Sequence, residues 1–294
     1  MSRLSATLML ALPVLLASGC QLWYSDPGIG DKQSLLRAVQ AAPEAIPLDI
    51  YWARFAWGDA DMNDHLWQSV QEDRIPVEVR RRLTANGLRA GVISGSPPES
   101  LVRLLAGENA IANPHPDDVP SAASLLEAPR VSRHLAHFDP GKVKQEHASD
   151  LLEQTTMLVA RDGELSGRTY QQAQASYAMV AAKTTANKVR VELTPEVIHG
   201  QPRMKWHQPQ PGVTVQSVAR ERDVFDDLTL YAELSAGEML VIMNAPESRG
   251  LLGGVFHTTT TDGRQEQRVL LVRLSQHQPT DLSPHEQAAP PTTL

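Results

Sequence analysis

The sequence predicts an α+β protein in which a small α/β domain is followed by a larger antiparallel β domain. Two observations carry that class. Between residues 44 and 106, apolar positions recur first with the two-residue period of a strand and then at the three-to-four spacing of helices. From Thr155 onward the period is two almost throughout, and turn signals such as Asp162-Gly163 and Asp262-Gly263 separate the runs. Connections that short join antiparallel neighbours, because parallel strands need crossovers of about a dozen residues or more.

Residues 1–7 carry one positive charge, Arg3, and Leu8 to Ala17 is apolar apart from Pro13. Small residues follow at once, which is the layout of a secretory signal peptide. The apolar run is about ten residues, roughly half of what a membrane-spanning helix needs. It closes on Leu15-Leu16-Ala17-Ser18-Gly19-Cys20, which holds the only cysteine of the chain. That stretch resembles the lipobox of bacterial lipoproteins, with Ala17 where the family usually has leucine. The resemblance implies that 1–19 is a removed signal and that the Cys20 thiol is diacylated. Gln21 in place of Asp implies, by the family's sorting rule, the outer membrane. A lone thiol in an oxidising compartment has nothing to pair with in this chain, so lipidation accounts for it well.

Residues 20–43 read as a tether. Trp23 to Gly30 has turn chemistry, and Lys32 to Ala42 has the spacing of a short helix that Pro43 ends. Within the α/β domain, 44–106, Ile46, Leu48, Ile50 and Trp52 share one face of a first strand, and Tyr51, Phe55 and Trp57 lie on the other. Asp59 or Asp61 is placed to cap a helix whose inward stripe is Met62, Leu66, Trp67 and Val70. Pro76 opens a second helix, buried through Val79 and Leu83 and stopped by Asn86-Gly87. Leu88 to Ser94 is a short strand. Ser96-Pro97-Pro98-Glu99 then begins a helix buried through Leu101, Val102, Leu104 and Leu105.

Residues 107–154 read as a linker or irregular segment, since Asn113 to Pro120 has no repeating apolar face. The β domain, 155–275, follows. Val189, Val191 and Leu193 alternate with Arg190, Glu192 and Thr194. Further strands are expected at 169–183, from Val213, at 228–234, at 239–243 and at 268–274. Residues 276–294 are polar and proline-rich and read as a disordered tail.

Candidate chemistry is sparse. His134, His137 and Asp139, with His147 nearby, could line a metal site if 134 and 137 shared a helix face, but no His-Glu-x-x-His pattern is present. His115 with Asp117 and Asp118 sits in a proline-flanked acidic loop. Gly250 to Gly254 lacks the Gly-Lys-Ser/Thr of a phosphate loop and reads as a bulge or tight loop. Ser94, in Gly91-Val92-Ile93-Ser94-Gly95, is one residue out of register with a nucleophile elbow. No catalysis, no cofactor and no resident metal are expected. The net charge of −7 argues against nucleic acid or anionic lipid surfaces as partners.

Val189-Arg190-Val191-Glu192-Leu193-Thr194-Pro195-Glu196-Val197 resembles a strand of the secretin core. Thr229 to Ile242 is similar to its next strand pair, and Leu251-Leu252-Gly253 before Phe256, then Val269 to Leu274, to its closing strands. Met243 to Arg249 stands where that family has a proline-flanked gate segment. The resemblance implies a β-rich fold and, as an alternative function, a subunit or accessory of an outer-membrane secretion pore. The leading expectation is an exported envelope lipoprotein, anchored to membrane lipid through acylated Cys20 and facing the periplasm. It would act as a structural or protein-interaction module, with envelope proteins or further copies of itself as partners. A secreted metal-dependent hydrolase using His134 and His137 is the third expectation.

Overall fold

The computed structural model describes residues 44–106, 130–185, 187–210, 213–245, 247–261 and 263–275. Cys20, the 32–42 helix, His115, Asp117, Asp118 and the 276–294 tail lie outside them.

The α+β class holds, and the fold is built on two antiparallel sheets. The first runs β2 (Leu88–Ile93), β10 (Met239–Asn244), β12 (Arg264–Leu274), β1 (Ile46–Ala56), β3 (Val131–Phe138), with β11 (Thr258–Thr261) also paired to β12. The second runs β4 (Lys144–His147), β6 (Glu164–Thr185), β7 (Lys188–Gln210), β8 (Val213–Val224). Here β5 (Leu152–Arg161) pairs with β6, and β9 (Leu230–Ser235) with β7.

Strand alternation sorts the first sheet into two buried faces. Ile46, Leu48, Ile50, Leu240, Ile242, Leu270 and Val272 face the second sheet. There they meet Tyr177, Met179 and Ala181 of β6 and Val191 and Leu193 of β7. Ala53, Phe55, Val241, Met243, Val269 and Leu271 face the other way, toward two helical pieces. One is a π-turn at Asp61–His65 that continues into α1 (Leu66–Gln68); the other is α3 (Glu99–Ala106). Burial on both faces explains why 239–243 and 269–272 are continuous apolar runs and do not alternate. Asp59 caps the first helical piece as expected, its Oδ1 accepting the Met62 N–H at 3.1 Å. In α3, Leu101 and Leu104 are buried but Val102 is about half exposed, so the buried stripe is narrower than its sequence suggested.

Residues 44–106 do not form a sheet of their own. β1 and β2 never touch each other in the sheet; β12 and β10, from the carboxyl half, lie between them. The expected boundary fails because which strands pair over long range is not written in local periodicity. Part of the expected linker is also strand: β3 is an edge strand whose residues are largely exposed, so it carries no buried pattern to read. Thr229 to Ile242, expected to contain a strand pair, divides between the sheets, β9 joining β7 and β10 joining β12.

The glycine-rich stretch holds a helix, α4 (Leu252–His257), and no bulge. Its glycines serve close packing. α2 (Val77–Ala85) ends at Asn86, and Gly87 takes φ +73°, the left-handed stop that Asn-Gly signals. The Gly253 N–H donates to the Asn86 carbonyl at 2.8 Å, and a Cβ on Gly253 would lie only 2.0 Å from the Gly87 oxygen. Glycine is required there by contact, not by a phosphate.

A buried amide cluster ties β12 to its neighbours. Gln267 and Asn63 exchange bonds of 2.8 and 3.1 Å, and Gln267 Nε2 also donates to Asn244 Oδ1 at 3.2 Å. All three are buried, so each amide needs the others.

Candidate interaction surface

The second sheet forks. β6 and β7 pair from Thr185 and Lys188 down to Gln174 and Ile198, and there they part. The remainder of β6 stays with β5 in a hairpin turned by Asp162 and Gly163, both at positive φ as a type I′ turn demands. The remainder of β7 runs on with β8 alone. Left-handed residues sit on both arms of the fork, Gln172 at φ +47° and Gly200 at φ +73°. The β7–β8 register also shifts between His199 and Arg203. Such irregularities bend and re-aim a strand.

A polar cluster fixes the base of the fork. Asp223 accepts from Arg168 and, at 3.0 Å, from the Tyr170 hydroxyl, while His199 Nε2 lies 3.4 Å from its Oδ1. The His199 and Tyr170 rings are 5.0 Å apart. Burial, then the Asp223 carboxylate, push the Tyr170 hydroxyl up to about 12, so it stays a donor. Arg161, Arg168 and Arg222 line a cleft of about 380 Å³ beside this cluster. Each is already ion-paired, with Asp227, Asp223 and Glu196 respectively, which leaves the cleft without free positive charge.

Beyond the fork, β7–β8 is a two-stranded ribbon. Met204 stands opposite Val218 and Trp206 opposite Gln216, so Met204, Trp206 and Val218 share one face. All three are exposed, at 68%, 67% and 69%. Three large apolar side chains side by side on a projecting ribbon are the kind of exposed patch that marks a contact surface. The stretch from Gly200 to Arg220 also carries Arg203, Lys205 and Arg220 and no acid, on a chain of net charge −7. Arg203 reaches Glu221 at 3.3 Å on the surface, and Arg220 Nε donates to the Gly200 carbonyl at 3.0 Å.

The residues singled out from sequence are not brought together. His134 and His137 lie on strand β3, where positions three apart point to opposite faces, so the helical spacing that would join them is absent. His134 Nε2 is 3.3 Å from Glu146, Asp139 is paired with Lys142 at 3.1 Å, and His147 lies on β4. Among the described residues, no three His, Cys, Asp or Glu are grouped to hold a metal ion. Ser94 donates to Glu238 at 2.6 Å, a carboxylate already held by Arg74, and no histidine is among its hydrogen-bond partners. The ribbon residues were missed by sequence reading. Their signal was the Arg203-Met204-Lys205-Trp206 alternation, obscured by Pro202, Pro209 and Pro211.

No protein family, characterised relative or solved structure matches this chain.

Proposed function

We propose that this chain is a cell-envelope lipoprotein, anchored to a bacterial membrane through acylated Cys20, that acts as a structural or interaction module. The observation that carries the reading is the position of Cys20, the only cysteine, directly after an apolar run of signal-peptide length and the small residues Ala17-Ser18-Gly19. Each buried acyl methylene contributes about 0.8 kcal/mol, so two or three chains hold a protein on a bilayer stably. Among the described residues no helix is long and apolar enough to cross a membrane. The exposed face of the β7–β8 ribbon supports the interaction half of the proposal and is its contact element.

The anchor is tested by replacing Cys20 with Ser in the native host and washing membranes with carbonate. The wild type is expected to stay with the membrane and C20S to be released. Retention of C20S would end the lipid-anchor reading. Mass in mild detergent tests the rest: a monomer or small complex fits a module, and a ring-sized multimer would replace it with the pore-subunit reading.

A further inference from the structure

A cleft of about 890 Å³ opens between the end of α2, the β5–β6 hairpin and the turn at Asp226–Leu228. Ala85, Leu165, Val224 and Leu251 give it apolar walls. Leu165 is 64% exposed and Val224 39%, so these walls still offer area for a ligand to cover. The charged groups of the cleft are of two kinds. Its arginines are engaged: Arg161 pairs with Asp227 at 3.2 Å, Arg82 Nε donates to the Asp227 carbonyl at 2.7 Å, and Arg81 pairs with Glu78 at 3.1 Å. Asp162 and Asp226 line it too, and neither carboxylate has a hydrogen-bond or ion-pair partner among the described residues. Ala85 is the last residue of α2, so the negative end of that helix adds to them. An anion would meet open carboxylates and occupied arginines; the cleft selects for a cation. A bare metal ion does not fit, because among the described residues no three His, Cys, Asp or Glu are grouped to hold one. Positive charge on an aliphatic stem does fit, which is the chemistry of arginine and lysine side chains. The volume is near the upper end for small-ligand pockets and takes more than one side chain.

We infer that this cleft binds a basic segment of a partner protein, with an arginine or lysine set against Asp162 and Asp226 and flanking apolar side chains covering Leu165 and Val224. The inference rests on the reading of the chain as an interaction module and names a class of partner; it does not depend on the β7–β8 ribbon. Asp162, at φ 51°, also turns the β5–β6 hairpin, so one residue closes the hairpin and brings a carboxylate to the cleft.

The test titrates the full chain, in mild detergent and at about physiological salt, with an acetylated and amidated hexapeptide of alternating leucine and arginine, followed by calorimetry. Saturable binding is expected. The same peptide with glycine for leucine is expected to bind at least ten-fold more weakly, the size of one leucine's burial. Asp162→Asn and Asp226→Asn are each expected to weaken binding about three-fold, the size of an exposed ion pair. Both positions are exposed, and Asn-Gly makes the same hairpin turn as Asp-Gly, so the fold stays intact. Absence of binding would overturn the inference. So would unchanged affinity in D162N with D226N, which would place the contact elsewhere. Equal affinity for the glycine peptide would also overturn it, leaving only attraction between a cation and a chain at −7. Displacement of the peptide by an equal concentration of spermidine would replace it with a free-polyamine site. Membrane attachment plays no part in this readout. A failed cleft leaves the carbonate and mass results standing, and a failed anchor leaves the titration standing.

Discussion

The side chain of Asn86 pairs with the backbone of Ala160 as a neighbouring strand would. Its Nδ2 donates to the Ala160 carbonyl at 2.9 Å, and its Oδ1 accepts the Ala160 N–H at 2.8 Å. Asn86 is fully buried at the end of α2, so one amide closes a helix and satisfies the edge of β5 at once. Asn86→Ala is expected to lower unfolding free energy by about 1–3 kcal/mol, the usual cost of stranding buried polar groups. Urea denaturation measures it, and Asn86→Asp, which sets a buried carboxylate oxygen against the Arg82 and Ala160 carbonyls that the amide now donates to, should be at least as destabilising as Ala. A change under about 0.5 kcal/mol in the alanine variant would show that the pairing is incidental.

Gly253→Ala separates propensity from packing. Helix propensity alone favours alanine over glycine by about 1 kcal/mol. Contact predicts the reverse, because the added Cβ meets the Gly87 carbonyl oxygen at 2.0 Å, a backbone atom with no freedom to rotate away. The variant is expected to lose on the order of 3 kcal/mol or to accumulate unfolded. A higher melting temperature would show that α4 is free to shift.

His257 gives the protein a dependence on mild acid. It is fully buried, its Nδ1–H donates to the Arg268 carbonyl at 2.9 Å, and its Nε2 accepts the Tyr177 hydroxyl at 2.8 Å. That pattern requires the neutral ring. Burial holds its pKa down at about 3, far below the ordinary 6.5. The unfolded chain therefore takes up a proton that the folded one refuses. Stability is full above pH 6.5 and falls below it by about 1.4 kcal/mol per unit as pH drops toward 3. His257→Gln should flatten the urea midpoint between pH 6.5 and 5. An unchanged slope in that variant would assign the acid sensitivity elsewhere.

Glu238 acts in a lower window. Burial raises its carboxyl, but Arg74, the Ser235 N–H at 2.7 Å and the Ser94 hydroxyl together outweigh this and hold it at about 2. Its contribution is present above the unfolded value of 4.5 and is lost as pH falls through 2. Glu238→Gln should be less stable than wild type at pH 5, and the gap should close by pH 2. Thermal unfolding across that range measures it, and a gap constant with pH would refute the assignment.

Some of this architecture was legible in the residues. β1 announces two buried faces because its even positions and its odd ones both carry apolar groups, and each meets a different layer. Val189, Val191 and Leu193 alternate because only one face of β7 is covered there. Other features were silent for physical reasons. β3 is exposed along most of its length, so its sequence is free to look like a loop. α4 contains two glycines whose value lies in how near the Gly87 carbonyl approaches Gly253 and the Ser248 carbonyl approaches Gly254, which no propensity reports. His134 and His137 looked joined because helical spacing was assumed for them, and a strand sends them apart. The ribbon face was overlooked because proline and glutamine surround it, and nothing local says that β7 outruns β6.

The place of β12 has a consequence for how the molecule comes to be made. Residues 264–274 lie between β1 and β10, and the Ser275 hydroxyl donates to Asp49, 226 positions earlier, at 2.6 Å. A nascent chain that emerges amino end first holds β1 and β2 long before the strand between them exists. Contacts so distant in sequence form slowly, and the first sheet has no centre until the last described strand arrives. Under the proposed export, that order keeps the first sheet from closing while the chain is threaded through a translocon, because its central strand is made late.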